Sequence, residues 1–305
     1  MNKKEHGGIF YGTAAYFMWG ILPVYWKLMD HIPAGEVLAH RIFWSFWFML
    51  LLMLFSGKVS FLMKNIKNAI QNWRTLLAFF GVSFLITINW FIFIWAVNME
   101  KVVETSLGYY INPLVSIILG VVVLKERLAK IHVISFFLAV VGVVILTLAY
   151  GQFPWISFAL AFSFGLYGLM KKMIVIDSES GLAIETLLVM PVAFIYLAVL
   201  AFKGDGSFLA GSPGTNLLLA GSGAVTALPL LFFAKGVQRV PLYLMGFLQY
   251  IAPSIMLVLG VLLYKEPFGT VRLIAFAFIW GALALFSLSS VKWPHLKRKA
   301  PDKTA

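Results

Sequence analysis

Ten runs of about 20 mostly apolar residues divide this sequence, at 8–28, 36–56, 74–98, 102–124, 131–150, 153–172, 182–202, 215–235, 240–264 and 270–290. A helix of that length crosses the hydrocarbon core of a bilayer. Inside lipid no water satisfies the backbone, so a single run must close its own hydrogen bonds, which makes it a helix. The expected fold is all-α and integral to a membrane: ten transmembrane helices joined by short connectors. Composition agrees. Charged residues make up 12% and hydrophobic ones 61%, whereas a soluble domain is roughly a quarter charged. A soluble enzyme, a disordered chain and a fibrous protein are excluded. The first run is too long for a cleaved signal peptide and lacks a small-residue cleavage site. The absence of cysteine removes disulfides, thiolate zinc sites and cysteine nucleophiles.

The formal net charge of +12 does not point to nucleic acid, because the basic residues form no stripe interleaved with stacking aromatics. They collect in alternate connectors. With both ends in the cytoplasm, 18 Lys and Arg fall on the inner side and 5 on the outer, leaving Arg41 inside a span. That bias predicts a plasma (cell inner) membrane protein with both termini cytoplasmic. The basic segment 291–305 is expected to lie against anionic inner-leaflet lipid.

The two halves repeat. At an offset of 140, Tyr110-Ile111-Asn112-Pro113 meets Tyr250-Ile251-Ala252-Pro253, Gly120 meets Gly260, and Lys125-Glu126 meets Lys265-Glu266. At 145, Gly20 meets Gly165 and Lys27 meets Lys172. The repeats are 8–150 and 153–290. Five spans per half is odd, so the second copy enters the membrane inverted, a construction common in secondary transporters with substrate held between the halves.

Several motifs resemble the RarD branch of the EamA family, within the drug/metabolite transporter superfamily: Ala39-His40-Arg41-Ile42-Phe43-Trp44-Ser45, Asn89-Trp90, Trp95-Ala96-Val97-Asn98, Ser106 through Pro113, and Leu248-Gln249-Tyr250-Ile251-Ala252-Pro253. The resemblance covers about residues 8–290. It implies ten helices in two EamA repeats and export or exchange of small metabolites. It brings no assigned site residues, so the site is read from the residues themselves.

Ionisable groups within spans are costly and mark function by default. Glu36, His40 and Trp44 follow one another at four-residue spacing on one helix face, with Arg41 about 100° round the helix. Arg41 suits a substrate carboxylate or phosphate; snorkelling to the outer headgroups or pairing with Glu104 are the alternatives. Glu36 and His40 are candidates for proton coupling, though His40 also suits a structural hydrogen bond. Asn89 and Trp90, with Asn98 and Trp95, sit in the outer half of the third span, where amides either bind a ligand or join helices. Trp19, Trp26 and Trp44 suit either a cavity wall or the interfacial belt, Trp26 lying nearer the belt and Trp19 nearer the midplane. Pro113 and Pro253 each free a carbonyl four residues back. With Tyr110, Asn112, Gln249 and Tyr250 beside them they suggest a matched hinge or cavity wall.

These readings predict a secondary transporter for a small amphipathic organic compound, acting by alternating access as one repeat rocks against the other. The other classes are a lipid flippase and an intramembrane lipid-modifying enzyme. The HExxH, GxSxG and GxxxxGK[ST] patterns are absent, so zinc hydrolysis, serine hydrolysis and ATP hydrolysis lack their machinery. No catalytic residue, metal or cofactor is expected. The expected partners are the small-molecule substrate, membrane lipids and protons, and Gly8-x-x-x-Gly12 fits either a homodimer or close packing within one chain.

Overall fold

The computed structural model describes residues 3–265 and 269–290. Among them the chain forms twelve helical segments and no strand: α1 (Lys3–Lys27), α2 (Ala34–Phe55), α3 (Val59–Gln71), α4 (Trp73–Asn98), α5 (Val102–Val122), α6 (Lys130–Tyr150), α7 (Trp155–Met173), α8 (Ser178–Lys203), α9 (Pro213–Val237), α10 (Leu242–Gln249), α11 (Ile251–Leu262) and α12 (Thr270–Ser290). Every predicted apolar run falls on a helix. Eight of them are long and apolar enough to cross a membrane, with α10 and α11 counted as one. The other two, α1 and α7, are less apolar: α1 carries glycines, tyrosines, tryptophans and a proline along its length, and α7 closes on Lys171 and Lys172.

α3 was not expected, since 57–73 reads as a basic connector. It is a 13-residue amphipathic helix that buries Leu62 and Ala69 and exposes Lys64 and Lys67. At about 1.5 Å per residue it is too short to cross a bilayer. The two prolines also differ. α5 runs unbroken through Pro113, whereas the ninth run is interrupted at Tyr250, three residues before Pro253.

The helices close a ring in the order α1, α9, α2, α8, α4, α7, α5, α10–α11 and back to α1, while α6 and α12 pack on each other outside it. Almost all the extensive contacts join an element before residue 150 to one after it. The halves are interlaced rather than set side by side. Two glycines permit close approaches between the halves. A Cβ at Gly223 of α9 would lie 2.2 Å from the Trp44 backbone carbon, and one at Gly246 of α10 would lie 2.8 Å from the Pro113 carbonyl oxygen.

Carboxylates of the first half cap helices of the second, satisfying backbone N–H groups that a helix start leaves unpaired. Glu104 accepts the Ile156 N–H of α7 at 2.8 Å. Glu126 accepts the Leu242 and Tyr243 N–H groups of α10 at 2.7 and 2.9 Å. Lys125 and Lys265, 140 residues apart, both adopt φ 55°, a left-handed conformation uncommon for residues other than glycine. Glu266, the partner of Lys265 in the repeat, lies outside the described residues, as does the basic segment 291–305.

Candidate substrate-binding site

Inside the ring, α2 presents the expected residues along one stretch. Trp44 donates its indole N–H to His40 Nδ1 at 3.2 Å, so the neutral ring carries its hydrogen on Nε2. That nitrogen is buried without a hydrogen-bond partner and lies 3.8 Å from Glu36 Oε1. Glu36 accepts the Ser207 backbone N–H at 2.6 Å and the Ser207 hydroxyl at 2.9 Å. The same loop, between α8 and α9, lays Phe208 against His40 and Trp44 at ring-centre distances of 5.0 and 5.8 Å. It lids the predicted outer end of α2.

Arg41 turns into the ring. Its Nε donates to Thr226 Oγ1 of α9 at 3.1 Å. The guanidinium sits 4.4 Å from the ring centre of Trp26 and 5.3 Å from that of Trp90, both within cation–π range. The alternative pairing with Glu104 is not made. Glu104 is taken by Ile156 and by the Tyr150 hydroxyl, and no described carboxylate lies within ion-pair distance of Arg41. Trp26, read from sequence as nearer the interfacial belt than the midplane, is part of this aromatic clamp.

Next to Trp90 lies a cavity of about 20 Å³, lined by Ile42, Ser45, Trp90, Tyr167, Glu185 and Thr186 among others. That is room for about one water. The cavity is small, and its lining includes a carboxylate that sequence reasoning missed. Glu185 of α8 pairs with Lys171 of α7 at 2.6 Å, and the Tyr167 hydroxyl donates to its second oxygen at 3.4 Å. The signal was present, since Glu185 falls inside the predicted span 182–202. Lys171 counts in the sequence as one of the inner-side basic residues.

Other expected residues divide into separate places. Asn89 donates to the Leu160 carbonyl at 2.9 Å and to Ser163 Oγ at 2.8 Å, so it joins α4 to α7. Asn98 is exposed at the end of α4, and Trp95 packs on Trp155. Trp19 belongs to an aromatic cluster with Tyr16, Phe164 and Phe233. Tyr110 meets Phe276 of α12 edge-on. Gln249 accepts from Ser116 at 3.4 Å. Asn112 Oδ1 and the Tyr250 hydroxyl are buried without hydrogen-bond partners. Tyr250 packs with residues of α5, α6, α7 and α12 rather than with the Arg41 clamp. Gly8 faces Val240 and Arg239, and Gly12 faces Met245, so the close-packing reading of the Gly8-x-x-x-Gly12 spacing is realised within one chain.

At the predicted inner face, Glu179 accepts from Lys58 at 2.5 Å and Lys235 at 2.7 Å. This carboxylate holds the Lys58 ammonium above its usual range. Lys172 donates to the Val237 and Val240 carbonyls, at and just beyond the end of α9.

The EamA-like transporter family matches residues 6–148 and 154–288. The chain belongs to that family. It is 46% identical over 297 residues to a protein of Bacillus subtilis (strain 168) named "Uncharacterized transporter YojE", covering 97% of this chain and 99% of that one. It is 41% identical over 289 residues to protein RarD of Escherichia coli (strain K12), covering 95% and 96%. These matches support the RarD branch. A crystal structure of a protein 19% identical superposes with a TM-score of 0.72 over 95% of this chain and 100% of that chain, a likeness of fold. The chain is a multi-pass membrane transporter and not an enzyme.

Proposed function

We propose that the chain is a secondary transporter exporting a small amphipathic organic compound across the plasma membrane by alternating access. The observation that carries this reading is Arg41. An arginine inside a span, clamped between Trp26 and Trp90 and lacking a carboxylate partner, keeps its planar fork for a guest's carboxylate or phosphate. The tryptophans suit the apolar part of that guest.

In this proposal α1 and α7, the first and sixth runs, also cross the membrane and bring the spans to ten, both termini face the cytoplasm, and the halves 8–150 and 153–290 are inverted repeats. Support comes from the packing. Exchanging α1 with α7, α2 with α8, α4 with α9, α5 with α10–α11 and α6 with α12 turns each extensive contact into itself or another extensive one. The shared φ of Lys125 and Lys265 and the two family-matched segments point the same way. One pair departs from that symmetry: α2 packs on α9 far more extensively than α8 does on α4. An inverted-repeat transporter reaches its opposite-facing state when the halves exchange such roles.

The rocking of one whole repeat against the other is revised. Interlaced halves cannot separate as blocks without breaking most of the ring, so the moving units combine helices from both, flexing at Pro113 and at the Tyr250–Pro253 break. Glu36 and His40 form the outer latch. A proton on His40 draws Glu36 towards the ring and away from Ser207, loosening the loop, so the expected proton sensitivity enters here. A homodimer is not required.

The test is untargeted metabolite profiling inside and outside cells that lack the protein, overproduce it, or overproduce Arg41→Ala. Wild type alone should shift a small organic compound outward. A mutant matching wild type would refute the site, and a chemically altered lipid with nothing transported would refute the transporter reading.

A further inference from the structure

We infer that Glu185 is a proton-loading site on the inner side of the cavity, and that its protonation releases Lys171 to hold an anionic group of the cargo. This rests on the transporter reading but uses none of the residues assigned to the outer latch.

Lys171 and Glu185 each have 3% of their side chain exposed and are 2.6 Å apart. Glu185 does not lie in the packed apolar core alone, since it lines the cavity, and Lys171 reaches it from α7. A buried ion pair adds little stability over a well-packed apolar pair, whereas an ionisable residue facing a cavity inside a membrane marks an ion or substrate path. Trp90 joins the two sites, since it lines the cavity and lies against Arg41. The titratable groups facing Glu185 are Lys171 and Tyr167, both from α7. From α2, α4 and α9 the cavity receives Ile42, Ser45, Ile86, Trp90 and Leu230, none of them titratable near neutral pH. Glu185 also stands 145 residues after His40, the offset that relates α1 to α7. The halves therefore carry their two proton-binding groups at corresponding points of α2 and α8.

The exchange is one of protons and contacts. A proton adds to a Glu185 carboxylate oxygen, and the Lys171 ammonium loses its charged acceptor. Lys171, the partner of a cavity-lining carboxylate, and Arg41, against the cavity-lining Trp90, then stand as two cations without counter-ions, which an organic anion neutralises. When the anion leaves, Lys171 recaptures Glu185 and the proton departs. Proton and anion thus travel as an electroneutral pair.

Infrared difference spectroscopy on the purified full chain in liposomes, with protons as the only probe, tests the first step. Acidification should raise a protonated-carboxyl C=O band that is lost in Glu185→Gln and survives in Glu36→Gln. Lys171→Met, which removes the competing cation, should move its midpoint up by at least one pH unit. Glu185→Asp, which keeps a carboxyl, should retain a band and serves as the folding control. A band unchanged in Glu185→Gln, or a midpoint unmoved in Lys171→Met, would overturn the proposal. In metabolite profiling, cargo carrying only positive charge would overturn the Lys171 role while leaving the transporter reading intact. If nothing is transported, that reading fails while the infrared result stands on its own.

Discussion

Ser207 donates both its backbone N–H and its hydroxyl to Glu36, at 2.6 and 2.9 Å, so one carboxylate on α2 holds the loop that lids the site. Removing it should free Phe208. Because the chain has no cysteine, Phe208→Cys can be labelled alone. Glu36→Ala in that background should speed its reaction with a membrane-impermeant maleimide about tenfold, the change expected for losing about 1.4 kcal/mol of closure. An unchanged rate would mean that the carboxylate is not the latch.

Arg41→Ala should abolish transport while the protein still inserts and elutes from size exclusion as wild type does. Arg41→Lys should recover little, because an ammonium cannot reproduce the planar fork between Trp26 and Trp90. Full recovery by lysine would reduce Arg41 to a point charge.

Gly223→Ala tests the approach of α2 to α9. The added methyl would sit 2.2–2.5 Å from Trp44 atoms that include its backbone, so the helices must part. Overpacking of this kind costs about 1–3 kcal/mol. The variant should melt lower and also lose transport, since Trp44 orients His40. Normal melting with normal transport would show that the crossing is looser than described.

Asn89→Leu should behave differently. It removes two hydrogen bonds between α4 and α7, worth about 0.6–1.7 kcal/mol in membrane helices. A lower melting temperature with unchanged apparent affinity for the cargo is the expected pattern; a changed affinity would return Asn89 to the binding site.

Orientation is checked by two single-cysteine variants. Lys64→Cys on α3 should resist an impermeant reagent in intact cells, and Leu209→Cys beyond α8 should react. The inner clamp at Glu179 should be insensitive to pH across the physiological range. A lysine whose pKa is raised by folding contributes fully below its ordinary value and loses that contribution only as pH rises through the higher one. Labelling of Lys64→Cys in opened membranes, taken relative to a free thiol at the same pH to remove the thiol's own ionisation, should therefore stay flat from neutral pH until the lysine range.

Much of this was legible in sequence because lipid imposes a length and an apolarity on each helix. The ten runs agree with the observed helices to within a few residues at most ends. The grouping of Glu36, His40 and Trp44 followed from four-residue spacing alone. What was not legible depends on which helices become neighbours. Tyr110 lies one residue from Tyr109, which is near enough to Arg41 to feel its charge, yet Tyr110 faces α12. α3 has neither the length of a span nor the polarity of a plain loop. Lys171 and Glu185 are 14 residues apart on two helices, and no periodicity within one helix can pair them.

The capping carboxylates bear on how the protein is made. Glu104 and Glu126 leave the ribosome well before their partners, 52 and 116 residues downstream, since synthesis proceeds from the N-terminus. Until α7 and α10 are inserted, the first five spans hold grooves and acceptors that only later sequence can fill. A ribosome stalled near residue 150 should therefore present an unfinished, protease-sensitive bundle. The same two segments expressed as separate polypeptides should need each other to accumulate. Insertion into the membrane and folding within it are distinct events for this chain, and the second waits for the end of translation.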